Sequence, residues 1–60
     1  MDNKEFQQVA QSLISKSEIT ARDAIIYVVH DQDSDRKSVI LKNIQVIKDL
    51  ISKIEMQVNG

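Results

Sequence analysis

The stretch that decides the fold is Ile40-Leu-Lys-Asn-Ile-Gln-Val-Ile-Lys-Asp-Leu-Ile-Ser-Lys-Ile-Glu-Met-Gln-Val58. Its branched aliphatics Ile40, Ile44, Ile47, Ile51, Ile54 and Val58 alternate four and three residues apart. That spacing averages 3.5 residues per repeat and keeps all six on one narrow seam of an α-helix. These six are the expected core seam. Val39, Val46 and Leu50 form a second apolar ridge beside it and are expected to meet another subunit or a partner. Isoleucine at both seam positions disfavours a two-stranded parallel coil and suits assemblies of three or four helices. The helix is expected from about 35 to 57, roughly 34 Å at 1.5 Å per residue. Asp33 or Ser34 is its candidate N-cap, and Asn59-Gly60 is its stop. Asp49 and Lys53 are spaced for a weak i,i+4 ion pair.

Upstream, Phe6, Val9, Ala10, Leu13 and Ile14 recur at offsets that share one helical face, predicting a first helix over about 3–16. Asp2 or Asn3 stands ready to cap it. Thr20-Ala-Arg-Asp23 resembles a capping box, with Ile19 and Ala24 as a modest hydrophobic staple. A separate second helix is therefore expected over about 21–30, preceded by a break near residues 17–20. The run Ile25-Ile-Tyr-Val-Val29 is β-branched and aromatic enough to form a strand instead. Such a lone strand would need a partner from another copy. The helical reading places Ala21, Ala24, Ile25 and Val28 toward the chain's own core, with Ile26 and Val29 turned to another subunit or a target.

Composition narrows the class. Sixty residues make one domain, residues 1–60, which buries only about 60% of the surface its unfolded chain exposes. Natural stabilisers at this size are disulfides, metals and oligomerisation. The chain has no cysteine and one histidine, His30, so oligomerisation is the expected device. It has no proline, and its one glycine is Gly60, which argues against a turn-rich all-β fold. The expected fold is all-α: a small helical hairpin or three-helix unit with a long C-terminal helix, assembling as a dimeric helical bundle.

Candidate chemistry is sparse. Asp31-x-Asp33-x-Asp35 begins like a calcium loop, but Arg36 and Lys42 stand where that loop needs glycine and a bidentate glutamate. No metal site and no cofactor are expected. Asp23 and His30 share a helix side, yet catalysis also needs a pocket and a nucleophile or metal. No enzyme activity is expected, and His30 reads as a helix-end residue suited to the dipole. Lys37, Lys42, Lys48 and Lys53 scatter around their helix among acids. Net charge is −1, and Phe6 and Tyr27 are the only aromatics, so the pattern argues against a nucleic-acid groove. The start of the chain lacks the apolar core of a signal peptide, and the longest apolar run, Ala24 to Val29, is too short to span a membrane. A soluble, cytoplasmic protein is the expectation. Its expected function is that of a non-enzymatic regulator, inhibitor or chaperone-like protein binding itself and a protein target through apolar helix faces. The alternative is an oligomeric helical nucleic-acid-binding regulator.

Overall fold

A computed structural model describes all 60 residues, Met1–Gly60. The protein is a helical hairpin. Helix α1 spans Asn3–Ile25 and widens into a π-helical turn at Ile26–His30; helix α2 spans Ser34–Asn59. A connector of three residues, Asp31 to Asp33, reverses the chain, and the pair forms a rod whose Cα trace measures 41 × 15 × 14 Å.

Both helices begin on aspartate caps. The Asp2 carboxylate accepts from the Glu5 N–H at 2.8 Å, and that of Asp33 accepts from the Asp35 N–H at 2.9 Å. Each occupies an orphan donor of the first turn, and Glu5 and Asp35 add negative charge where the helix dipole favours it. The first long helix ends by a different route. A left-handed glycine is the common terminator, but no residue of this chain has positive φ. Instead the ladder loosens to i→i+5, and the Asp31 N–H donates to the Ile26 carbonyl at 2.9 Å. Asp31 then turns extended and releases the chain into the connector. At the other end the Gly60 N–H donates to the Met56 carbonyl at 2.9 Å.

The division of the first half into two helices is corrected. α1 runs unbroken through Ser17 and Thr20, and no strand forms at Ile25–Val29. No proline or glycine forces a break there. Thr20 is not a cap but one of the two buried residues, 6% exposed; the other is Ile40, at 7%. The side chains turned between the helices are Phe6, Ala10, Leu13, Ser17, Thr20, Ala24 and Tyr27 from α1 and its terminal turn, facing Arg36, Ile40, Asn43, Ile47, Leu50 and Ile54 from α2. Both series step four and three residues, the knobs-into-holes repeat of two wound helices. The seam of α1 was hard to see because Ser17 and Thr20 interrupt its apolar pattern. Ala21, Ile25 and Val28, expected inside, are exposed; of that group Ala24 alone is partly covered.

Candidate protein-protein interface

The seam has a consequence for everything beside it. In two antiparallel helices that face each other, residues just after corresponding seam positions fall on one edge, and residues just before the alternate positions fall on the other. One edge therefore carries Gln7, Ile14, Ala21 and Val28 from the first arm, after Phe6, Leu13, Thr20 and Tyr27. Lys37, Ile44, Ile51 and Val58 join it from α2, after Arg36, Asn43, Leu50 and Gln57. The opposite edge carries Val9, Lys16 and Asp23 with Val39, Val46 and Lys53. Two surface depressions lie along this second edge: one lined in part by Val9, Lys53 and Met56, the other by Asp23, Arg36 and Val39.

Apart from Gln7 and Lys37, the first edge is aliphatic and open to solvent. Ile14 is 66% exposed, Ile44 36%, Ile51 47% and Val58 75%. The expected core seam is thus divided between two surfaces. Ile40, Ile47 and Ile54 face α1, while Ile44, Ile51 and Val58 lie on the open edge. The expected contact ridge is divided as well. Leu50 packs inside the hairpin, Val39 and Val46 are exposed on the second edge, and Ile26 and Val29 are exposed on the π turn, away from the seam. Ile14, which sequence periodicity assigned to the first helix's inward face, lies at the centre of the open edge. Its place was legible only from the phase of the full α1 seam.

Polar groups inside the hairpin are few and incompletely satisfied. Arg36 reaches Asp23 at 3.5 Å across the two arms beside the connector, with both side chains about one-third exposed. The Arg36 Nε and the Thr20 Oγ1 are buried without a hydrogen-bond partner. On the outer surface Glu18 accepts from Arg22 at 2.7 Å, and Asp49 meets Gln45 at 3.4 Å rather than Lys53. Exposed pairs of this kind contribute about 0–1 kcal/mol.

The residues singled out for metal or acid–base chemistry converge only in part. One Asp33 oxygen is committed to the helix cap, Arg36 lies beside Asp23, Asp33 and Asp35 in one shallow depression, and His30 is exposed at the end of the π turn. No cluster of three or more histidine, cysteine or acidic side chains has the arrangement of a metal site. The most voluminous surface depression, about 500 Å³, is an open groove lined mainly by Gln8, Gln11, Ser12, Ser15 and Lys16. No helix is long and apolar enough to cross a membrane. Comparison with protein-family models, curated proteins and solved structures finds no match.

Proposed function

We propose that this protein is a small non-enzymatic regulator, inhibitor or chaperone-like protein that works as a homo-oligomer and docks on a protein target through its apolar helix faces. The supporting observation is the distribution of apolar side chains. Only Thr20 and Ile40 are buried in the hairpin, whereas fourteen large apolar residues remain exposed, most of them along its two edges and the π turn. Scattered surface aliphatics are ordinary, but a contiguous apolar strip along a small protein marks an interaction surface. Fully burying one such side chain contributes about 1.5–3 kcal/mol. The edge holding Val39 and Val46 is the face we assign to the protein target, because charged Lys16, Asp23 and Lys53 border it and give it the mixed character of a non-obligate interface.

A photo-crosslinking residue placed at Val46 in the native host, with one at the outward Gln45 as control, tests this reading. The expected result is a discrete protein adduct from Val46 and none from Gln45. Nucleic-acid adducts whose yield falls steeply with salt, the signature of counterion release, would instead support the nucleic-acid-binding alternative. Absence of any adduct at Val46 would refute the assigned face.

A further inference from the structure

We propose that a second copy of this chain covers the edge formed by Ile14, Ala21, Val28, Ile44, Ile51 and Val58, lying side by side with its connector at the same end and completing a four-helix bundle. The proposal rests on the reading of the apolar faces as docking surfaces and names the occupant of one of them.

Three observations carry it. The first is size. With a Cα trace 41 Å long and 15 Å wide, one face of the hairpin offers with its side chains a footprint on the order of 800 Å², what each partner contributes to a standard stable interface. The second is shape. Arg36 reaches Asp23 across the arms and Val9 shares a depression with Lys53, so level residues on the two arms have numbers summing to about 60. A two-fold axis parallel to the helices preserves that register between α1 and the partner's α2. Ile14 then falls between the levels of Ile44 and Ile51 on the other copy, as a knob between two side chains seven residues apart.

The third observation is charge. One step farther around each helix, three residues before each edge position, stand Lys4, Gln11, Glu18 and Ile25 on α1 and Leu41, Lys48 and Glu55 on α2. In the same-end arrangement Lys4 lies level with Glu55 of the other copy, twice by symmetry, and Lys48 faces Gln11. Turning one copy end over end stacks α2 on α2 and α1 on α1, so that Lys4 no longer meets Glu55. An axis through Lys48 then sets Lys48 against Lys48, with Glu55 against Leu41. Like charges placed opposite one another select against that alternative. Bringing two connectors together costs little, because Asp31, Asp33 and Asp35 are largely offset by Arg36 and Lys37 in each copy.

The chain has no cysteine, so Gln32→Cys in the connector accepts a single spin label. Neighbouring helices in a bundle lie 8–10 Å apart, so labels on same-end connectors should be separated by roughly 25 Å or less. Opposite-end packing would separate them by about the 41 Å length of the rod. Sedimentation should give twice the 6.8 kDa chain mass. The exposed reversal Lys4→Glu should weaken dimerisation about three- to tenfold, and adding Glu55→Lys should restore it. A long inter-label distance, or a reversal without rescue, overturns the orientation. A monomer at all concentrations overturns the second copy itself, and leaves crosslinking from Val46 to decide the functional reading separately.

Discussion

The inside of the hairpin and its Ile44–Ile51 edge differ in how far their apolar side chains are covered. Between the helices Phe6, Leu13, Tyr27, Ile47, Leu50 and Ile54 are half-buried and alternate with the small or polar Ala10, Ser17, Thr20, Ala24 and Asn43, with Ile40 the one buried aliphatic. Along the edge the chain places Ile14, Ile44, Ile51 and Val58 in water. Burial of apolar area is the dominant favourable term in folding, and the edge leaves such area uncovered. In the proposed assembly the seam aligns the arms, and the edge supplies the apolar surface for a second contact.

The sharpest way to break this comparison is a matched pair of substitutions. Ile40→Asp puts a carboxylate into the most enclosed apolar site and should cost several kcal/mol, close to the whole stability of a small domain. Loss of helical circular dichroism and of cooperative melting is the expected result. Ile14→Asp, on the open edge, should cost only what the second copy contributes, and so retain helicity at high protein concentration with a lowered Tm. Equal losses at both positions would mean that seam and edge do not differ in burial. A smaller effect is expected at the connector. Asp33→Ala removes the cap of α2 and should destabilise by about 1 kcal/mol, read as a lower denaturation midpoint at unchanged slope. The smallest change sharpens the seam side. Thr20→Val keeps the shape and removes a buried hydroxyl that has no partner, so stability should rise by up to about 1 kcal/mol. A clear fall in Tm would show that the hydroxyl is satisfied in the assembled protein.

Helix type and caps were legible from the residues. The alternation from Ile40 to Val58 identifies α2, and Asp2 and Asp33 mark both starts, because these signals act within one or two turns of the chain. The break expected near Thr20 was not there. A threonine followed three residues later by an acid reads as a cap, yet the same threonine is tolerated within a helix when neither proline nor glycine interrupts the ladder. The strand-like run Ile25–Val29 likewise became the end of α1 and its π turn, since β propensity yields to context when no partner strand is near. Of the candidate interface residues, Val39 and Val46 fall on an exposed edge, Ile26 and Val29 are exposed on the π turn and Leu50 falls inside, while Ile14, read as inward-facing, is exposed. Periodicity finds an apolar stripe but not which part of it the neighbouring helix covers.

By itself the sequence determined that the chain is helical, that it lacks a disulfide for support, and that α2 carries more apolar surface than one neighbour can cover. Those properties follow from local spacing and composition. Only the tertiary structure decided the phase of the seam, and with it the separation of Ile40, Ile47 and Ile54 from Ile44, Ile51 and Val58. The reason is geometric: on a helix, residues four apart sit within about 40° of each other, so both sets satisfy the same period. Contact with α1 through Ala10, Ser17, Thr20 and Ala24 selects which of them is inside.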